Sequence, residues 1–431
     1  MSVVSENGEN HLNGTIIRAT RRWIVTLAIA FLPLAVAQSS HWKRLPFIIL
    51  TLTGLWLICR SAAIRHHYHR IRSIVYAALS LVLITSLSVI CHSNQHANLG
   101  LYPQTLLFLA IAAAFLLPVN RTAIWLIFSA TGAFLGGVAW FQCYINGQPR
   151  PYGLNGGPWA AIEFGMFLFA LALLTLNQML STNMSRLTRL FHAVCCAITV
   201  YGGVLTESRG PILAFPVMLC VLSNFYFRQT QGWQVALRHI LLPCCLGFVV
   251  MIALKPPILS RFFAIIDEVE SYNPQNNASV AIRERIEMWR ASLIAVKEHP
   301  LLGVGTNNFG FYIQQQVDRG NFNPSIRRYR HPHNEYLEAA ATAGIPGLLA
   351  LLSLFLAPLR YFRRFALDKD PERASIARSG ILLVGLYMLC GLSDNVFYHA
   401  MSNSLYLFLV LGFAMWVSSS HTTVPWQKST S

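Results

Sequence analysis

Two histidines and two glutamates stand close together in the segment His331-Pro-His333-Asn334-Glu335-Tyr-Leu-Glu338. The unperturbed pKa of histidine, about 6.5, lets the ring accept a proton from a hydroxyl group near neutral pH. On a continuous helix Glu335 would follow His331 by one turn and orient its ring. The intervening proline favours an extended His331, and a helix that begins only at His333 is the alternative. Asn334 and Glu338 share a face of the apolar stretch that follows, so we expect proton chemistry in this segment.

A His-x-His pair can also bind a metal ion. None of the nine cysteines forms a CxxC pair, and no second histidine cluster on the same side of the membrane lies within reach in the sequence, since His66, His67 and His69 fall in a predicted cytoplasmic loop. These absences argue against a zinc site or a disulfide framework. The sequence therefore predicts a site without a metal or other cofactor.

Further ionisable residues stand at the ends of apolar runs. A charge beside a membrane span costs free energy, so such residues are candidates for function by default. They are Arg150, Glu163, Glu207, Arg209, Arg283, Arg285 and Asp394. A structural network of ion pairs explains two or three of them. Such a network does not account for several arginines beside a histidine pair. The planar guanidinium of arginine suits a phosphate ester or a pyrophosphate, which points to an anionic ligand. We expect an anion-binding pocket if the fold brings these residues together.

The elements that carry these residues are membrane spans. Of the 431 residues 54% are apolar and 12% charged, about half the charge of a soluble domain. A spanning helix needs roughly 20 mostly apolar residues, and about twelve segments qualify. They lie near 23–38, 45–63, 73–91, 101–117, 121–142, 158–180, 189–205, 211–227, 236–254, 334–359, 374–393 and 400–418. The sequence predicts an all-α polytopic membrane protein. The first span could be a cleaved signal segment, but we expect it to be retained because many spans follow.

The lysines and arginines set the orientation. The net charge of +16 could suggest nucleic acid, but the basic residues flank apolar runs. With a cytoplasmic N-terminus, 19 of the 33 fall on the cytoplasmic side and 4 in short external loops, a strong positive-inside bias. The remaining ten lie in a long external segment. All the ionisable residues named above then fall on the external side, and no nucleic-acid partner is expected.

The long external segment is predicted to be helical rather than a plain linker. From 279 to 299, apolar residues recur at helical spacing, with charged residues on the other face. This pattern suits a helix on the bilayer surface or one whose basic side covers a site, and a shorter helix is expected near 307–317. The predicted division is spans one to nine in 1–254, the loop in 255–333, spans ten to twelve in 334–419 and a cytoplasmic tail in 420–431.

Several motifs, in this order, resemble the bacterial O-antigen ligase family of the O-antigen ligase/polymerase superfamily. They are Arg150-Pro-Tyr-Gly, Glu207-Ser-Arg209-Gly, Arg285-Ile-Glu-Met-Trp289, the segment from Glu298 to Gly305, the segment from His331 to Glu338, Gly344-Ile-Pro-Gly347 and Gly391-Leu-Ser-Asp394. The resemblance covers about 140–400, and the first four spans match only as hydrophobic helices.

The resemblance implies a metal-independent glycosyltransferase of the bacterial inner membrane with a periplasmic site. Such enzymes move a glycan from undecaprenyl diphosphate to a hydroxyl of the lipid A–core oligosaccharide. By position Arg209 and Arg285 match the arginines that hold the donor diphosphate, with Arg283 and Arg150 as further candidates. His333 matches the general base, and His331 is the secondary candidate. Supporting roles fall on Glu207, Asn334, Glu335, Glu338 and Asp394. Attack opposite the diphosphate would invert the anomeric centre.

Three other functions compete with the ligase. An O-antigen polymerase would match the His-Asn-Glu segment less well, and protein O-oligosaccharyltransferases usually carry a longer C-terminal extension. A membrane transporter would place its charged site near the bilayer midplane, with broken helices, whereas these residues lie at one rim. The sequence favours the ligase.

Overall fold

The regular secondary structure is helical wherever the computed structural model describes the chain. The described residues are 3–38, 44–92, 96–154, 157, 160–180, 184–230 and 281–419. The helices are α1 (Val3–Val36), α2 (Arg44–Arg60), α3 (Ala62–Arg70), α4 (Arg72–Cys91), α5 (Gln104–Ala112), α6 (Arg121–Tyr144), α7 (Ala161–Met179), α8 (Arg186–Leu205), α9 (Arg209–Thr230), α10 (Ala281–Glu298), α11 (Phe309–Asp318), α12 (Glu335–Arg363), α13 (Pro371–Cys390) and α14 (Ala400–Ser419), with 3₁₀ turns at Ala113–Leu116 and Pro324–Arg328. The predicted all-α class is confirmed.

Eleven of the predicted spans coincide with helices, and nine helices in the described part of the chain are long and apolar enough to cross a membrane. The predicted span near 236–254 and the tail at 420–431 lie outside the described residues. The second predicted span ends early, because α3 turns by 102° from α2 and is capped afresh by Ser61. The fourth is also short, since α5 tightens into a 3₁₀ turn and ends at the extended Leu117, the residue before a proline.

The bundle is held by apolar contacts along the spans. Helix α14 is the most enclosed of the spans that the structure describes, with Tyr406 and Trp416 inaccessible to solvent. It packs against α13 and α5, while α12 packs against α4, α13 and α10. We call the end of the bundle at which α12 begins and α13 ends the loop end, because α10 and α11 lie there.

The loop end is tied to α12 at a kink. Gly344 has a φ of 71°, in the left-handed region that glycine tolerates. On either side of this kink the incoming loop bonds to the helix: the Val304 amide donates to the Ala341 carbonyl (2.8 Å) and the Ile345 amide to the Pro300 carbonyl (2.8 Å). The kink therefore fixes the end of α10 against α12.

Both helices predicted in the loop are present, as α10 and α11, and they enclose a small core of their own around Met288, Phe309 and Ile326. The face of α10 that turns inward includes the charged side predicted from the sequence, because Arg283 and Glu284 are buried. Leu293, on the predicted apolar face, is 53% exposed. This arrangement agrees with a polar side that covers a site.

Candidate active site

The segment that carries the two histidines is held by an asparagine cap. Asn334 is the N-cap of α12: its Oδ1 accepts a hydrogen bond from the Leu337 amide at 3.0 Å, which satisfies a free N–H of the first turn. The Asn334 side chain also donates to the Leu392 carbonyl at 3.0 Å. Helix α12 therefore begins at Glu335, and the preceding His333 has a φ of 51°, an uncommon conformation for a residue with a side chain.

Of the two alternatives left open by the sequence, the helical pairing of His331 with Glu335 does not form, and the helix begins after the histidines, at Glu335. His331 precedes the helix, and its Nδ1 donates to Asn395 Oδ1 at 3.1 Å. Glu335 Oε2 instead accepts the Phe397 amide at 3.1 Å. The proline and the Asn334 cap together keep His331 out of the helix, which is the physical reason.

His333 forms a hydrogen-bonded pair with Asp394, 61 residues further along the chain. The His333 Nδ1 donates to Asp394 Oδ1 at 2.9 Å, and the same oxygen accepts the Asn395 amide at 2.9 Å. Burial alone would raise the pKa of Asp394, but the hydrogen bond and charge of His333, with the charge of His331, lower it to about 2. The carboxylate stays ionised and orients the ring, so a neutral His333 presents its Nε2 lone pair away from Asp394.

His331 lies beside this pair but differs in chemistry. Its ring centre is 4.4 Å from that of His333 and 4.5 Å from that of Tyr398. Burial, together with the neighbouring charge of His333, lowers the pKa of His331 to about 4. The ring is therefore neutral at physiological pH and does not supply a positive charge there.

A second histidine–carboxylate pair was missed by the sequence reasoning. His399 Nε2 donates to Glu163 Oε1 at 2.7 Å, and its ring centre is 6.4 Å from that of His331. Burial lowers the pKa of His399, but the hydrogen bond and charge of Glu163, with the charge of Asp394, raise it above its ordinary value overall. Glu163 stood out as a charge beside a span, and His399, directly before the last span, offered the same signal.

The turn that carries Arg209 lies against the loop that carries Asp394. A side chain on Gly210 would collide with Ser393 Oγ, so the two turns are in close contact. Glu207 is buried and has a φ of 51°, a second left-handed residue of the kind that clusters at functional sites.

Arg150, in the segment before α7, forms hydrogen bonds with the turn at residues 206–208. Its Nε donates to the Thr206 carbonyl at 2.9 Å, and its Nη2 donates to Ser208 Oγ at 3.2 Å. Two of the guanidinium nitrogens of Arg150 are therefore engaged in stabilising the turn.

Helix α10, which carries the remaining predicted arginines, contacts the histidine segment. The Trp289 Nε1 donates to the Pro332 carbonyl, between the two histidines, at 3.0 Å. Arg285, one turn before Trp289, is half-buried and makes no hydrogen bond or ion pair within the described residues. Glu287 pairs with Arg290 at 2.9 Å, which leaves the Arg285 guanidinium available to an anion.

Three side chains could instead hold a metal ion. His331, His333 and Asp394 offer ligand atoms that all lie within 4.8 Å of one another, and we call them the His–Asp cluster. The same donors are used inside the protein, since Asp394 accepts from His333 and His331 donates to Asn395. The prediction of a metal-free site remains a prediction.

Comparisons with known proteins agree with the motifs. A family model described as O-antigen ligase matches residues 194–352. An uncharacterized protein of Haemophilus influenzae is 23% identical over 348 residues, which cover 79% of this chain and 85% of that protein. A protein of Escherichia coli named O-antigen ligase is 24% identical over 209 residues, which cover 48% of this chain and 46% of that protein. The family resemblance predicted from the motifs is therefore confirmed, and residues 194–352, which include Arg209, Arg285 and His333, are the part of the chain that matches the O-antigen ligase family.

Proposed function

We propose that this protein is a glycosyltransferase of the bacterial inner membrane that transfers a glycan from undecaprenyl diphosphate to a hydroxyl of the lipid A–core oligosaccharide. The observation that carries the proposal is the His333–Asp394 pair, which lies beside a turn and a helix that both bear arginines, in a chain that matches the O-antigen ligase family. The site faces the periplasm in this proposal, with 255–333 as the periplasmic loop and 420–431 as the cytoplasmic tail.

His333 is the proposed general base. Asp394 fixes the ring through Nδ1 and stabilises the positive charge that forms when Nε2 takes the proton of the acceptor hydroxyl. As that proton leaves, the hydroxyl oxygen bonds to the anomeric carbon of the donor glycan. The bond from that carbon to the diphosphate oxygen breaks, and its electron pair leaves with the diphosphate. Attack from the opposite face inverts the anomeric centre.

The arginines are proposed to bind the donor diphosphate. Arg285 is the strongest candidate, because its side chain is half-buried and has no partner among the described residues. Arg209 stands on the turn that touches the Asp394 loop, Arg150 contacts that turn, and Arg283 lies on the same helix as Arg285. Fixed cations at a developing diphosphate charge stabilise the transition state, so a stable leaving group can depart without a metal ion or a general acid.

The supporting residues shape the site rather than touch the reacting atoms. Asn334 caps α12 and bonds to the 392–395 loop, and Glu335 binds the Phe397 amide in the same loop. Together they hold Asp394 opposite His333. Glu207, which is buried and left-handed in the turn before Arg209, is proposed to set the shape of that turn.

The test is complementation of a strain from which the gene has been deleted. We expect the deletion to leave the glycan on its lipid carrier and lipid A–core without it. Wild-type protein should restore the ligated product, and His333→Ala should not, because loss of a positioned base costs about 10²–10⁴-fold. His331→Ala should be milder. His69→Ala, a substitution of an exposed histidine in α3, is the control and should behave as wild type.

Three outcomes would contradict the proposal. Near-normal ligation by the His333→Ala protein would remove the base. Greater damage from His331→Ala would transfer the role to that residue. A deletion strain that ligates single glycan units but makes no long chains would identify a polymerase instead.

A further inference from the structure

A cavity of about 630 Å³ opens beside the histidines at the loop end of the bundle. Its wall is formed by five segments: 96–102, residues 307–314 at the start of α11, Arg330, the first turn of α12 and the 395–398 loop. Asn395 and Tyr398, which both contact His331, belong to that wall. The cavity is therefore continuous with the candidate active site, and its volume falls within the range of roughly 300–1,000 Å³ typical of small-ligand sites.

Two buried polar atoms in this wall have no partner among the described residues. They are Glu338 Oε2 and Asn308 Oδ1, on side chains that are only 4% and 3% exposed. Two neighbouring polar side-chain atoms do have hydrogen-bond partners. Asn308 Nδ2 donates to the Val304 carbonyl at 2.8 Å, and Glu335 Oε2 accepts the Phe397 amide. Buried polar groups are nearly always hydrogen-bonded, so these two atoms indicate that a polar ligand enters the cavity.

The rest of the wall shows which chemistry suits that ligand. Rings of Tyr102, Phe311 and Tyr398 line it, and His96 packs on Phe311 with ring centres 5.0 Å apart. Flat apolar surfaces beside isolated hydrogen-bonding atoms match a sugar ring, which has an apolar face and a rim of hydroxyls. A hydroxyl both donates and accepts, so it satisfies the Glu338 carboxyl in either protonation state.

The lining of the cavity differs from that of the proposed diphosphate site. It contains two carboxyl groups, on Glu335 and Glu338, and one arginine, Arg330, whereas the arginines proposed for the diphosphate lie on α10 and on or beside the Arg209 turn. A wall with two carboxyl groups and one guanidinium suits saccharide hydroxyls, which both donate and accept, better than a diphosphate, which only accepts. The cavity is therefore better matched to the saccharide of the acceptor than to the donor diphosphate.

We propose that this cavity binds the saccharide of the acceptor, with sugar hydroxyls bonded to Glu338 Oε2 and Asn308 Oδ1. The inference rests on the proposed function for the identity of the acceptor. It adds a binding site and names Glu338 as a residue that determines acceptor affinity, next to the proposed base but outside the His333–Asp394 pair.

The experiment uses full-length protein in detergent and, as the probe, the core oligosaccharide released from lipid A. Its dissociation constant is measured for wild type, Glu338→Leu, Glu338→Gln and His333→Ala. The control is Glu372→Leu, in which the lost carboxylate comes from a pair with Arg121 far from the cavity. Transfer kinetics with lipid-linked donor then give separate KM values for donor and acceptor.

We expect Glu338→Leu to raise the dissociation constant of the oligosaccharide and the acceptor KM by about 10- to 100-fold, the usual effect of leaving a buried hydroxyl of the ligand without its hydrogen-bond partner. The donor KM should not change. Glu338→Gln should raise the dissociation constant and the acceptor KM by a smaller factor. If the leucine variant is unstable, the glutamine variant tests the role of Glu338 in acceptor binding. His333→Ala should bind the oligosaccharide normally and fail to transfer.

Distinct results would overturn the two proposals. Unchanged oligosaccharide binding in both Glu338 variants would show that water alone fills the cavity. A rise in the donor KM alone would assign the cavity to the donor glycan. Wild-type protein that binds the oligosaccharide through Glu338 but transfers nothing would refute the proposed function and leave the saccharide site standing.

Discussion

Replacement of Asp394 by asparagine tests the role of the carboxylate behind the proposed base. The substitution keeps the shape of the side chain and removes the negative charge that faces the His333 ring at 2.9 Å. If His333 takes a proton during transfer, the positive ring in the variant lacks its counter-ion. The variant should fold, bind donor and transfer slowly.

The size of the effect follows from the geometry. Two unit charges about 4 Å apart interact by about 4 kcal/mol at an effective dielectric constant of about 20. The His333 and Asp394 side chains are 22% and 16% exposed, so solvent screens part of this energy and we expect roughly half of it, ~2 kcal/mol, to be lost. That energy corresponds to a decrease of about 30-fold in the rate of the chemical step.

The assay is single-turnover transfer from lipid-linked donor with saturating acceptor, with the rate expressed per amount of folded protein. The rate constant of Asp394→Asn should fall, because the positive ring that forms during transfer is less stabilised. A purely structural role for Asp394 would lower the amount of folded protein and leave the rate constant unchanged.

The matched control is Asp368→Asn. Asp368 is 18% exposed and pairs with Arg373 at 3.3 Å, in the segment between α12 and α13 and thus at the other end of both helices. This variant should transfer at the wild-type rate. Equal rates for Asp394→Asn and wild type, or equal damage from the two substitutions, would refute the reasoning.

Three further predictions concern the cations, the metal and pH. Arg285→Lys and Arg209→Lys should each reduce transfer at normal expression, because lysine keeps the charge but loses the bidentate fork; full ligation by either variant would exclude that arginine. Excess chelator should leave transfer unchanged, and loss restored by one divalent metal would assign that metal to the His–Asp cluster. The pKa of His399 is raised by Glu163 against the effect of burial, so the stability from this pair is complete below about pH 6.5 and is lost as pH rises through the folded value. The melting temperature of wild type should therefore fall more between pH 6 and 9 than that of His399→Gln, and parallel curves would contradict this.

The sequence by itself determined the helical class and the approximate positions of most spans. Apolar runs are local properties, and a run of sufficient length forms a helix in lipid whatever its neighbours are. The two departures at α3 and α5 were set by single local features, the Ser61 cap and the proline after Leu117. The candidate residues could also be predicted, because ionisable groups beside apolar spans are rare.

Tertiary structure decided which of these residues meet. His333 and Asp394 are 61 residues apart, and Glu163 in α7 is still further from His399, which directly precedes α14, so no spacing rule relates the members of either pair. Their contacts depend on the packing of helix ends and on the turns at Gly210 and Gly391–Asp394. The inward face of α10 was likewise settled by partners, since Glu284 bonds to Arg328 at 3.0 Å and Trp289 to the Pro332 carbonyl. A local apolar pattern shows which residues avoid water, but a buried polar face depends on the distant groups that satisfy it.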